Sequence, residues 1–573
     1  MALVIEALPA RRLRQFDLFR PVAFLLIAIL AILVILPLFW LAVYSVTDKD
    51  GAFTAANFVA LVTDPTMRKP FVLALSMALG VGVFSCVIAT PLAWLVARTD
   101  LPGRSIVRML VTASFVTPPF LGAIAWEILA APNSGLLNEL YRSLFGLQPY
   151  DYIVDIYTIE GLVFVISCYT FPYVFTLVAN ALDRIPGDLE DASAILGASA
   201  FTTLRRVTIP LVLPAMLAGA LIALLQALTM FGAPAILALP AGFHVITTKI
   251  WSLFQYPPRL GLAAAAALPL LVITVILLRL QHWILGRRSY TVVGGKSGEP
   301  RIMRLGVWRW PAMGLVGIIL GLTVILPYGA LLRTALTRHL SEPFIWSNLT
   351  LHNFRFVLFE FSATQLALQN TMLLGFLAAT IGTGLALATA YFVSRRAVPG
   401  YRFLGFLATA PVAIPGIVLG VALFLSYSRP PFMFYGTLWI LLIGFLTIEL
   451  PGGFQQLSAA MHGIDPGLEE ASRILGATRL MVLRQITAPL LRTSIIAAWC
   501  FVFIGTIREL SATILLTTAN TKLVSVIIYD LNESGDLGAI SVLGIILLVI
   551  SFTVVFIANR LPILGRRAPT PTA

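Results

Sequence analysis

Charge is what this chain has least of. Only 11% of its 573 residues are Asp, Glu, Lys or Arg, while 59% are hydrophobic. A soluble domain of this length needs roughly two to three times as much charge to cover its surface. A soluble globular fold is therefore excluded. Cysteine is also scarce. Cys86, Cys168 and Cys500 all lie inside apolar runs and read as small buried hydrophobes, not as a disulfide or ligand set. The five histidines are scattered, with no pair at metal-ligand spacing. A phosphate-binding loop is missing too. Its nearest lookalike, Gly294-Gly295-Lys296-Ser297, has Tyr290 where a glycine is required. No nucleophile–base or metal constellation stands out, so a membrane enzyme has little support. The net charge is +13, but the basic residues sit at the ends of apolar runs, where topology explains them better than nucleic acid does.

Long apolar runs are what the chain does have, each of about 20 residues or more, enough to cross a bilayer as a helix. They predict an all-α polytopic membrane protein with about twelve spans. In the first half the spans are 21–46, 71–97, 106–130, 158–182, 208–231 and 261–285. In the second they are 307–332, 366–393, 402–427, 433–456, 486–516 and 537–559. The basic start Arg11-Arg12-Leu13-Arg14 precedes a first run too long for a signal peptide, so that run is expected to stay as a span. The predicted organisation is a first six-span half (1–286), a basic linker (287–306) and a second six-span half (307–573). With the N-terminus inside, roughly 27 of the 39 lysines and arginines fall in cytoplasmic segments, as the positive-inside rule expects. Both termini are then cytoplasmic.

One polar stretch occurs twice. Glu190-Asp191-Ala192-Ser193 leads to Ile195-Leu196-Gly197, Arg205 and Pro210-Leu211. Glu469-Glu470-Ala471-Ser472 leads to Ile474-Leu475-Gly476, Arg484 and Pro489-Leu490. Gly197 and Gly476 are 279 residues apart, as are Pro210 and Pro489. Further upstream, Arg98 and Leu101-Pro102-Gly103 match Arg395 and Val398-Pro399-Gly400 at a spacing of 297. The first half thus carries 18 extra residues, which fit the loop 133–157 on the outer side. An even number of spans per repeat makes the two halves parallel, related by an axis along the membrane normal.

Each polar stretch is expected to fold as a helix-turn-helix on the membrane surface. Glu190 to Leu196 forms a short helix with an acidic start, suited to the helix dipole. Gly197 ends it, and Phe201 to Val207 forms a second short segment before Pro210 opens the next span. Ala192, Ile195, Leu196 and Leu204 can pack on a partner or on the chain itself, with the acidic residues and Arg205-Arg206 as a wet rim.

These stretches resemble the cytoplasmic EAA motif of ATP-binding-cassette importer permeases: Glu-Ala-Ala, three residues, Gly. The matching residues are Glu470, Ala471, Ser472 and Gly476, and Asp191, Ala192, Ser193 and Gly197. Asp191 stands for the usual Glu, and Ser for the second Ala in both copies. The resemblance implies a type I importer fold. It implies coupling helices, carried by Glu190, Asp191, Ala192, Ser193, Gly197 and Arg205 and by Glu469, Glu470, Ala471, Ser472, Gly476 and Arg484. Two copies of a separate ATP-binding subunit would dock on them, so this chain would hold no cofactor and hydrolyse nothing itself. A periplasmic or extracellular substrate-binding protein would deliver cargo to this multi-pass protein of the bacterial inner membrane.

The runs Phe231-Gly232-Ala233-Pro234 and Arg508-Glu509-Leu510-Ser511-Ala512 resemble the ferric-iron group of these permeases. Thiamine, polyamine and aminophosphonate importers are the alternatives within the class. An ion-gradient-driven secondary transporter is the alternative outside it. Arg508 and Glu509 lie inside a span, where a charge costs about 3 kcal/mol and usually faces a cavity or partner. They read either as lining the route or gate, or as an interfacial ion pair. A straight helix from Leu490 puts Arg508 about 27 Å up, near the outer end. Glu449, before Pro451-Gly452-Gly453, reads as a hinge first and a route residue second.

Overall fold

The computed structural model describes residues 19–48, 50–287, 302–339 and 344–564. The phosphate-loop lookalike and most of the basic linker lie outside these. Among the described residues the chain is helical, with nine helices long and apolar enough to cross a membrane and three further bent pairs. With each bent pair taken as one span, these number twelve, at the positions expected.

The three bent pairs correspond to expected spans 106–130, 402–427 and 486–516. Arg104–Val116 meets Pro119–Ala130 at 99°, and Tyr401–Ala413 meets Gly416–Tyr427 at 113°. Proline is the cause at both breaks. It forces the preceding residue out of the helical region, so Thr117 (ψ 128°) and Ile414 (ψ 111°) are extended. Pro118 and Pro415 are 297 residues apart, so the break is part of the repeat. The third pair, Arg479–Leu490 and Arg492–Ile507, meets at 79°. Its helix ends at Ile507, and only the short helix Thr513–Leu516 follows before Val524–Ser534.

In the first half, Pro65–Arg98 packs along Ile159–Arg184 and Ile209–Thr229. Ser362–Ser394 packs in the same way with Leu438–His462 and Arg492–Ile507 in the second. The first span of each half lies against the other half. Phe19–Ser45 packs on Gly416–Tyr427, where the Tyr427 hydroxyl donates to the Ile32 carbonyl (3.0 Å). Leu326–Leu336 packs on Pro119–Ala130, and the nearby Tyr328 hydroxyl donates to the Ala113 carbonyl (3.2 Å). Such an exchange buries both broken helices, which cannot face lipid because their freed backbone groups need partners.

The length difference between the halves sits where the register comparison puts it. Between Ala130 and Ile159 there are 28 residues; between Tyr427 and Leu438 there are 10. The longer loop contains the helix Leu136–Phe145. Asn138 is fully buried and staples the loop. It donates to the Ala131 and Val154 carbonyls and accepts from the Ile153 and Val154 amides.

Candidate functional site

The two polar stretches fold alike at one end of the helix bundle. Gly187–Ile195 and Pro466–Ile474 are short helices, each starting three residues before the expected Glu190 or its equivalent. Pro466 stands at the first helical turn, and the Asp465 carboxylate caps it by accepting from the Gly467 amide (2.9 Å). Gly197 (φ +79°) and Gly476 (φ +92°) stop the helices in the left-handed region that glycine alone enters freely. The second segment is not separate, as expected, but continuous with the next span. Ala200–Thr203 passes through a π-type turn, Leu204–Thr208, into Ile209–Thr229. Pro210 therefore opens nothing; it sits in the first turn of a helix already under way.

The acidic residues divide in a way the sequence reading missed. Asp191 and Glu470 are exposed, as are Ala192, Ala471, Arg205 and Arg484. Ser193 and Ser472 are half-buried, and Ser193 hydrogen-bonds Thr203 (2.9 Å). Glu190 and Glu469, expected on a wet rim, are instead buried at 8% and 6% exposure. Glu469 accepts from Arg395 Nε (3.0 Å) and from the Thr487 hydroxyl (2.9 Å). Glu190 accepts from the Thr208 hydroxyl (2.9 Å) and lies 3.7 Å from Arg98 Nη1. The same arginines reach a third element: Arg98 donates to the Ile185 carbonyl (2.7 Å) and Arg395 to Ile464 (3.2 Å). A buried carboxylate needs such partners, which explains the inward turn. Each arginine, at the end of one span, thus clamps the end of a second span and the short helix that follows it, and the glutamate in turn holds the threonine at the start of the next span. Arg98 and Arg395 recur at 297, and Thr208 and Thr487 at 279, so the repeat carried the signal.

With the glutamates turned in, apolar side chains are left outside. Ile195 and Leu196 are 85% and 87% exposed; Ile474 and Leu475 are 85% and 88% exposed. Each pair stands at the tip of its helix, beside exposed Leu189 and Phe201 or Leu468 and Leu480. Contiguous exposed apolar tips of this kind mark contact surfaces.

The second site is a cavity of about 250 Å³ where the broken helices of the two halves meet. Thr117, Pro119, Tyr169, Tyr173 and Gln226 line it from the first half, and Gly416, Glu449, Arg508, Glu509 and Ser511 from the second. All three expected route residues come together here. Arg508 is not at the expected outer face: it stands just past the helix end at Ile507 and shares the cavity with Glu449, the twelfth residue of the 25-residue helix Leu438–His462. The helix that leads to it begins at Arg492, after the 79° bend, and ends at Ile507, one residue before Arg508. Arg508 Nη1 donates to the Phe115 carbonyl (3.1 Å) and its guanidinium lies 5.7 Å from the Phe115 ring centre, so it ties the halves together. The Glu509 carboxylate accepts from the Ala512 amide (2.6 Å) and caps the turn after the helix. Arg508 and Glu509 do not form an ion pair with each other among the described residues.

A model of the family "binding-protein-dependent transport system inner membrane component" matches residues 89–290 and again 365–562. The chain belongs to this family. It is a transport permease, not an enzyme, and a multi-pass protein of the inner membrane whose system includes a substrate-binding protein. The double match covers both polar stretches and both halves of the cavity lining. Among its relatives, the ferric transport system permease protein FbpB of Actinobacillus pleuropneumoniae is 28% identical, over 83% of this chain and 68% of its own. The Fe(3+)-transport system permease protein FbpB 2 of Haemophilus influenzae is 20% identical, over 88% of this chain and 92% of its own. A solved bacterial ABC transporter involved in alginate import aligns with 48% of this chain and 96% of its own at 20% identity, with a TM-score of 0.40.

Proposed function

We propose that this permease imports ferric iron and is driven by two copies of a separate ATP-binding subunit docked on its two motif helices. That face is cytoplasmic, and with six spans per half both termini lie on the same side. Nucleotide is held by the partner subunit and not by this chain. The observation that carries the docking is the pair of apolar tips, Ile195-Leu196 and Ile474-Leu475, equally exposed and at repeat-equivalent positions. Two equal handles suit two equal motor subunits. Ferric cargo is supported by the relatives named for ferric transport, which match most of the chain.

The test is co-purification and transport. Ile195→Asp with Leu196→Asp, or Ile474→Asp with Leu475→Asp, is expected to lower the ATP-binding subunits in the detergent-solubilised complex from two to one, and the four substitutions together to release both, with the permease still folded. Burying two such side chains contributes about 3–6 kcal/mol, so the affinity should fall at least 100-fold. Retention of both copies by the fourfold variant sinks the docking. Proteoliposomes supplied with the loaded binding protein test the cargo; uptake of thiamine, a polyamine or an aminophosphonate in place of ferric iron refutes it.

A further inference from the structure

The central cavity is lined by pairs of repeat-equivalent positions. Thr170 and Glu449, Thr229 and Arg508, Met230 and Glu509, and Gly232 and Ser511 are each 279 apart; Pro119 and Gly416 are 297 apart. A cavity lined twice by the same repeat positions lies on the axis that relates the halves. Its chemistry is one-sided all the same. Glu449, Arg508 and Glu509 all come from the second half, where the first half offers Thr170, Thr229 and Met230.

Two of these charges are already engaged, Arg508 by the Phe115 carbonyl and Glu509 by the Ala512 amide. Glu449 is different. It is 9% exposed, and no described protein group hydrogen-bonds its carboxylate or pairs with it within 4 Å. The carboxylate rests on the backbone of Gly505, where a Cβ would lie 2.3 Å from Oε1. Only glycine leaves it room. From the opposite half Tyr169 lines the same cavity, and its buried hydroxyl also has no hydrogen-bond partner. A carboxyl group that faces a cavity with no protein donor keeps its oxygens free for a ligand, and a cation held by oxygen ligands fits such a group.

We infer that the cavity is a transit site for a metal cation, with Glu449 as its anionic ligand and Tyr169 as an oxygen ligand from the other half. This inference rests on the ferric reading of the cargo. Carboxylate and phenol oxygens are hard donors and suit a hard cation. Because the two ligands belong to different halves, any rearrangement of the halves pulls them apart and releases the ion. Arg508, held in place by Phe115, lowers the net negative charge and keeps the hold weak. A site on a transport route has to let go of what it accepts.

The experiment uses the complete importer in proteoliposomes, with binding protein carrying radiolabelled ferric iron, and reads iron moved per ATP hydrolysed. Glu449→Gln keeps the shape and removes the charge. It is expected to lower that ratio more than tenfold, with binding-protein-stimulated ATP hydrolysis within twofold of wild type. Glu449→Asp should recover part of the loss. Gly505→Ala, which displaces the carboxylate, should fall in the same direction, and Tyr169→Phe should cost several-fold. An unchanged ratio in Glu449→Gln overturns the site. So does a parallel fall in ATP hydrolysis and melting temperature, since that marks a role in the fold alone. A wild-type importer that moves no iron overturns the ferric reading instead, and that arm is read before any variant.

Discussion

Removing Glu469 gives the most direct reading of the arginine clamp. Glu469→Ala leaves Arg395 with the Ile464 carbonyl alone and takes the acceptor from the Thr487 hydroxyl. Breaking a buried ion pair from one side costs about 3–5 kcal/mol. The pair is nearly but not wholly enclosed, with side-chain exposures of 13% and 8%, so the lower end applies. A loss of about 3 kcal/mol is about two decades in an equilibrium constant. The cost falls on the docking of the short helix, because the long spans keep their own packing. Hydrogen exchange followed by mass spectrometry on the peptide 464–478 should therefore show protection reduced about 100-fold, with the spans unchanged. Replacing both partners with apolar residues, Arg395→Met with Glu469→Leu, removes the stranded charge and should restore most of the protection. Equal exchange in the single and double variants would refute the reasoning. So would loosening of Ser362–Ser394 and Leu438–His462 to the same extent. Glu190→Ala should cost less, because its arginine lies farther away at 3.7 Å and keeps its own carbonyl contacts at 2.7 and 2.8 Å.

Further perturbations separate local geometry from contacts. Gly476→Ala meets no atom within 4 Å, so its cost is backbone alone; at φ +92° this is about 1–2 kcal/mol, and exchange at the end of Pro466–Ile474 should quicken about tenfold. Unchanged exchange there would mean that the helix ends without the left-handed residue. Asn138→Ala strips partners from four backbone groups of the outer loop, a loss of about 3 kcal/mol. Limited proteolysis should then cut within 133–157 at least tenfold faster, and an unchanged cleavage rate would show that the loop is held by its other contacts. Tyr328→Phe removes two hydrogen bonds across the halves, to the Ala113 carbonyl and to the Thr117 hydroxyl; a melting temperature lowered by a few degrees is expected, since each such bond contributes about 1 kcal/mol.

The amino-acid sequence by itself determined the class of protein, the places of its apolar helices, the repeat and the position of the 18-residue difference. All of these follow from one-dimensional signals. Apolar run length is set by bilayer thickness, and repeat register is set by counting. Gly197 and Gly476 were legible because a left-handed helix end has a strong residue preference. The inward turn of Glu190 and Glu469 was not. Hydrophobic pattern alone places a carboxylate outside, and only tertiary packing brings Arg98 and Arg395, some 70 to 90 residues upstream, to the place where burial is tolerated. The depth of Arg508 was hidden for a related reason. A run of apolar residues reads as one continuous rod, whereas the helix stops at Ile507 and Arg508 caps it beside Glu449, in a cavity made jointly by two halves that the linear chain keeps 279 residues apart.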